Sequence, residues 1–204
     1  MPGPYKTEAV VLRSIRFAEA DRVLHLYTSA RGRVNAIAKG VRKTTSRFGG
    51  RLEPLTRAAL MLHEGRGELH TVSGADIVRS HAAVRGRAHA LAVATIGAEA
   101  VLKLYVEPDP QPQVFAGLVR FLDVLDEHDG EGDPSLDPVG LGFQLKLLLL
   151  AGYLDPAGGG PVEELVGRPL GEVTLAPREA RVALRTVEHT YEHHGGFQLR
   201  TLRA

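Results

Sequence analysis

Glu188, His189, Glu192 and His193 place two imidazoles four residues apart, flanked by carboxylates, with His194 adjacent. On a helix these side chains share one face, and imidazoles at that spacing can hold a divalent cation. The order is not that of a His-Glu-x-x-His metal helix, because Thr190 follows His189 and no third ligand cluster is evident. A solvated polar helix face is the simpler reading. His63, Glu64, Glu68 and His70 flank a tight turn, where polar residues are expected. The tract Gly158 to Gly160 has no following Lys-Ser/Thr and is not a phosphate-binding loop. No Gly-x-Ser-x-Gly elbow is present. The chain has no cysteine, which removes disulfides and thiolate zinc sites. A His/Glu metal-dependent nuclease is the one enzyme class these residues leave as an alternative; no cofactor, catalytic residue or metal ligand set is assigned.

The strongest chemical signal is charge. Arg31, Arg33, Lys39, Arg42, Lys43, Arg47 and Arg51 fall within 21 residues that contain no Asp or Glu. The whole chain carries a formal charge of +1, so the remainder stands at −6. A concentrated positive stretch on an otherwise acidic protein is the footprint of a polyanion binder. Arginine suits phosphate because its planar fork bonds two oxygens at once. Thr44, Thr45 and Ser46 add hydroxyls within the same stretch. Phe48 is its single aromatic. That ring can stack on a base or fold back against the protein.

The elements that carry these residues read as two different halves. Residues 7–16, 22–29, 33–41, 55–63 and 68–73 are short β-type segments separated by turn signals. In the third, Val34, Ala36 and Ala38 share one face, with Asn35, Ile37 and Lys39 on the other. Residues 42–51 have no apolar period and two glycines, so they read as a loop that is mobile without a ligand. Five strands in about 75 residues predict a small closed barrel of the OB type. Past residue 80 the period becomes helical. Residues 86–106 carry a stripe of Leu91, Ala94, Ala98, Val101, Leu102 and Tyr105, and residues 113–127 one of Val114, Leu118, Leu122 and Leu125. Asp137 followed by Pro138 predicts an N-cap with proline at the first helical position. The helix behind it is apolar nearly all round and therefore central. A last helix over 177–194 stops at Gly195-Gly196. The expectation is an α+β protein with an OB-fold DNA-binding domain at 1–80 and a helical domain at 81–204. The N-terminus lacks the apolar core of a signal peptide, and no apolar run is long enough to span a bilayer. A cytoplasmic protein is expected.

Several stretches together resemble one family. EAVVLRSIRFAEADRVLHLYT, GRVNAIAKGVR and SRFGGRLEPLTRAALMLHEGRGELHTV are similar to the N-terminal half of the RecO family of bacterial recombination mediators. FQLKLLLLAGYLDP and YEHHGGFQLRTLR resemble that family's central and last helices. The resemblance implies a non-enzymatic protein of DNA repair. Such a protein binds single- and double-stranded DNA, anneals complementary strands and acts with RecR. It helps to load RecA onto DNA coated with single-strand-binding protein, whose acidic C-terminal tail it contacts; RecF is an indirect partner. Many members carry a four-cysteine zinc module after the central helix. Here the module is absent or truncated to a remnant at about 155–176, without cysteine.

Two alternatives compete with this reading. One is a generic OB-fold binder of single-stranded nucleic acid. The other is an interaction scaffold, whose helical domain would hold an acidic peptide near Arg120, Arg178, Arg181 and Arg185.

Overall fold

The computed structural model describes residues 3–43, 46, 48–65, 67, 69–155 and 159–199. Two compact units emerge. The first takes in the chain up to His81 together with Tyr105–Phe115, and the second takes in Ala82–Leu104 and the residues from Ala116 onward. The sequence pattern places residues 105–115 in the helical half, whereas they cluster with the barrel.

In the first unit β1 (Pro4–Phe17), β2 (Asp21–Thr28), β3 (Gly32–Ala38), β4 (Arg57–His63) and β5 (Leu69–Arg79) close into a barrel of order β1-β2-β3-β5-β4. All pairs are antiparallel except β3 with β5. This is the OB-fold connectivity. The long β1 closes the barrel by pairing Pro4–Val10 with β4 and Ala9–Phe17 with β2. A bulge between Val11 and Arg13 re-aims the strand midway. Alternation fixes the interior: Ala9, Val11, Leu24, Leu26, Val34, Ala36, Ala38, Ala58, Leu60, Leu62 and Val72 form one buried cluster. The inward set is rich in alanine. Phe48 and Leu52, from the connection between β3 and β4, complete the cluster. A short 3-10 turn at Gly49–Leu52 lies in that connection, which the sequence pattern left as unstructured loop.

Tyr105–Phe115 lies against the outside of this barrel. Gly32 has φ +60, and a Cβ there would meet Asp109 O at 2.1 Å. Only glycine fits that approach. Tyr27 is fully buried, with its ring edge-on to Tyr105 at 6.2 Å.

The second unit contains α1 (Ala82–Gly86), α2 (Ala88–Leu104), α3 (Pro112–Glu127, from Ala116), α4 (Pro138–Leu150), α5 (Gly160–Gly167) and α6 (Pro177–Thr190). A π turn follows at Tyr191–Gly195, and Gly196 ends it in the left-handed region. α4 is central, with Val139 to Leu145, Leu147 and Leu148 buried. Asp137 caps it, accepting from the Val139 and Gly140 N–H groups at 2.9 and 3.2 Å. Ala94, Ala98 and Val101 of the stripe expected on α2 are buried, but Leu91 is not. Leu91 is exposed, and Ala90, Val93, Ala94, Gly97, Ala98 and Val101 are buried. Small residues win that face because Phe121 and Phe143, stacked at 4.1 Å, approach so closely that a Cβ on Gly97 would meet Phe121 at 2.4 Å.

The region expected to retain a zinc-module remnant folds without thiolates. Leu165 and Leu170 pack at Gly142, and Lys146 Nζ donates to Val166 O at 2.5 Å. The chain has no cysteine, so no thiolate zinc centre can form here. Among the described residues, no helix is long and apolar enough to cross a membrane.

Candidate nucleic-acid interface

With the inward set of the barrel known, cross-strand register assigns the outer face of β1, β2 and β3. Arg13 stands opposite His25, and His25 opposite Asn35. Ile15 stands opposite Val23, and Val23 opposite Ile37. Phe17 pairs with Asp21 at the hairpin end, and Tyr27 with Arg33 at the other. Residues 105–115 cover Tyr27, so the open part of the face runs from Arg13 and Asn35 towards Phe17 and Lys39.

The start of the β3–β4 connection is tied to that open end. The Gly40 N–H donates to Asp21 Oδ1 at 2.7 Å, and the Arg42 N–H donates to Ala20 O at 2.9 Å. The Arg42 guanidinium donates to Glu19 O at 3.0 Å, and the Lys43 N–H to Gly40 O at 3.1 Å. These bonds hold Lys39, Arg42 and Lys43, all exposed, beside Phe17. Among the described residues, neither Lys39 nor Lys43 has a carboxylate partner. Their charge is available to an external anion.

Three other cations of the barrel are already paired. Arg22 pairs with Glu53 at 3.1 Å and Arg57 with Glu8 at 2.5 Å. Arg31 forms an ion pair with Glu64, and its guanidinium lies 4.1 Å from the centroid of the Tyr5 ring. Tyr5 Oη in turn hydrogen-bonds His70 Nδ1 at 2.9 Å. This cluster sits at the opposite end of β3 from Lys39, roughly 26 Å away at the strand rise.

The basic stretch therefore divides. Arg33, Lys39, Arg42 and Lys43 lie on or beside the open face. Arg31 belongs to the far end, and Arg51 is half-buried in the 3-10 turn. Arg47, Thr44 and Thr45 lie outside the described residues. Phe48 requires a correction as a base-stacking residue: it is 3% exposed and part of the barrel core, because packing among the alanine-rich inward set takes its apolar ring out of water. The aromatic that is available is Phe17, 51% exposed, with Ile15 next to it on the same face. Arg13, Ile15, Phe17 and His25 escape a search confined to the basic stretch. Their signal is the alternation of Arg-x-Ile-x-Phe along β1, which becomes informative once the inward parity is known.

His25 is the titratable group at the centre of the face. Burial lowers its pKa, a hydrogen bond between Nδ1 and the Asn35 side chain at 2.8 Å opposes this, and Arg33 and Arg13 lower it further. The ring is thus held neutral below the usual imidazole range. A phosphate between the two arginines would reverse that balance.

The His189 and His193 pair is exposed, with ring centroids 3.9 Å apart. His193 Nδ1 donates to His189 O at 3.0 Å, and no third imidazole or carboxylate joins them among the described residues.

Comparison with known proteins agrees with this architecture. The model for the N-terminal part of recombination protein O matches residues 1–81, and that for its C-terminal part matches residues 85–154. The DNA repair protein RecO of Rubrobacter xylanophilus is 41% identical over 149 residues, covering 73% of this chain and 58% of that protein. The protein of the same name from Bifidobacterium adolescentis is 40% identical over 151 residues, covering 73% and 59%. That of Frankia casuarinae is 56% identical over 79 residues, covering 39% and 32%. The chain thus matches less than two thirds of the length of these relatives. With both halves matched in order, and a barrel and a helical unit to carry them, the chain belongs to the RecO family of DNA repair proteins.

Proposed function

We propose that this chain binds single-stranded DNA across the open β1–β3 face and works as a recombination mediator. The observation that carries the reading is that Lys39, Arg42 and Lys43 stand at the Phe17 end, and Arg13 and Arg33 beside His25, along one side of a closed OB barrel on which Phe17 and Ile15 are exposed. Cations follow the phosphates while the ring and the aliphatic side chain meet bases. With one exposed aromatic on the face, electrostatics dominate and sequence preference is weak. Duplex DNA binds through the same charges, and two single strands held by such a surface can anneal. In the cell, a bacterial cytoplasm, the reading extends to four partners. The helical unit takes the acidic tail of single-strand-binding protein, RecR joins the complex, RecA is loaded onto the exposed strand, and RecF acts indirectly. None of these steps requires a catalytic residue.

Strand annealing on DNA coated with single-strand-binding protein, with and without RecR, tests the whole reading. The expected result is annealing that persists on coated DNA and weakens when the acidic tail of the coating protein is deleted. Binding to bare strands with no annealing of coated ones would reduce the chain to a generic OB-fold binder. No binding to bare strands would refute the interface itself.

A further inference from the structure

Three helix ends of the second unit converge. His89 lies in the first turn of α2, His128 directly follows α3, and Asp137 caps α4. His89 Nε2 and His128 Nε2 both reach Asp137 Oδ2, at 2.8 and 2.9 Å. The three donor atoms all lie within 4.8 Å of one another. The geometry points to a binding site for a zinc-class divalent cation formed by His89, His128 and Asp137.

The donor set suits such an ion. Two imidazoles and one carboxylate are ligands for zinc, whereas magnesium and calcium take oxygen donors. Tetrahedral zinc at about 2.0–2.1 Å from each donor sets the donors ~3.3 Å apart. The present contacts are about half an ångström tighter, a difference that small ring rotations absorb. Asp137 can ligate without giving up its structural role, since Oδ1 caps α4 and Oδ2 faces the imidazoles. Among the described residues, His89 Nδ1 is buried without a hydrogen-bond partner, and only the bond from Nε2 to Asp137 sets the tautomer of that ring. Nε2 can present a proton to Asp137, or a lone pair to a metal with the proton moved to Nδ1.

The surroundings hold the ligands in place and leave a way in. Arg87 fixes the backbone at His128. Its guanidinium donates to the carbonyls of Leu125, Asp126 and His128 at 2.7, 2.8 and 2.5 Å, and to Asp129 Oδ1 at 2.7 Å. Gly130 leaves room for the cluster: a Cβ there would meet His89 Nε2 at 2.5 Å and Asp137 Oδ2 at 2.8 Å. A cavity of about 310 Å³ opens onto His128 and Asp137, with Glu131 and Asp133 also in its lining. It admits the cation, and a water within it can take the fourth position. The site is separate from the region where the cysteine module of other family members would stand.

The test is calorimetric titration of zinc into the full chain, freed of metal and carrying no histidine tag. Thermal unfolding and circular dichroism run in parallel. The expected result is one equivalent of zinc per chain, with a raised Tm. Binding should be lost in His89→Gln, in His128→Gln and in Asp137→Asn, which keeps a competent N-cap and so stays folded. It should survive in the double variant His189→Gln/His193→Gln. Absence of zinc binding by the unmodified chain would overturn the proposal. So would binding that persists in folded Asp137→Asn and vanishes in the His189/His193 variant.

Discussion

Replacing Lys39, Arg42 and Lys43 together with alanine separates a DNA interface from a merely solvated charge run. The structure predicts that the triple variant folds. Lys39 and Lys43 are exposed, and among the described residues the Arg42 side chain bonds only Glu19 O, while its backbone N–H to Ala20 O survives substitution. If the five cations of the face each neutralise one phosphate, log K against log salt has a slope of about −3.5 on single strands. Removing three leaves about −1.4. Between 50 and 200 mM salt the native chain should lose roughly 130-fold in affinity, and the variant roughly 7-fold. Fluorescence anisotropy of a labelled oligothymidylate across that range reads both slopes. Arg31→Ala is the internal control. Arg31 is paired with Glu64 and stacked on Tyr5 at the far end of β3 from Lys39, so its charge is already taken within the protein. Its slope should match the native one. An unchanged slope in the triple variant, or a drop in Arg31→Ala instead, refutes the placement of the interface.

Three further outcomes follow from the same geometry. Phe17→Ala should weaken single-strand binding by about 1–3 kcal/mol, roughly 5- to 160-fold, with the salt slope unchanged, because it removes a stacking ring and no charge. Phe48→Ala should instead cost about 3–5 kcal/mol of folding stability in urea titration, with salt-dependent binding intact in the folded fraction, as its ring fills the barrel core. His25 is neutral in the free protein with a lowered pKa. Protonation is therefore favoured in the unfolded chain, and stability should fall as pH drops below about 6.5 towards the folded pKa. Bound phosphate favours the cation, so DNA affinity should rise over the same descent. His25→Gln should remove His25's contribution to both trends, read by urea titration and anisotropy at matched salt.

The barrel was legible because its signal is local and repeated. Alternation along β3 assigns Val34, Ala36 and Ala38 inward, and they lie in the core. Asp137-Pro138 names a helix start by chemistry alone, and the cap forms as expected. α2 shows where periodicity runs out. A leucine at position 91 outweighs alanines on any hydropathy scale, yet the face that packs is the one with Gly97, because close approach to Phe121 rewards small size over apolarity. Hydropathy measures what a side chain gains by leaving water, and it does not measure how near a neighbouring helix must come.

The interface was half legible for a related reason. Net charge is a property of composition, so the basic stretch stands out before any fold is known. Which cations remain available depends on partners far along the chain. Glu64 takes Arg31, and Glu53 takes Arg22, across 33 and 31 positions. Phe48 and Phe17 exchange roles for the same reason. One sits among arginines and looks like a stacking ring until the folded barrel takes it into the core. The other sits in an ordinary strand and gains meaning only when β2 and β3 are set beside it. The His89, His128 and Asp137 cluster is the extreme case. Its members lie 48 and 9 positions from Asp137, each the end of a different helix, with no spacing rule to join them. Local physics makes each of those helix ends separately, and only the packed unit places their donor atoms around one point.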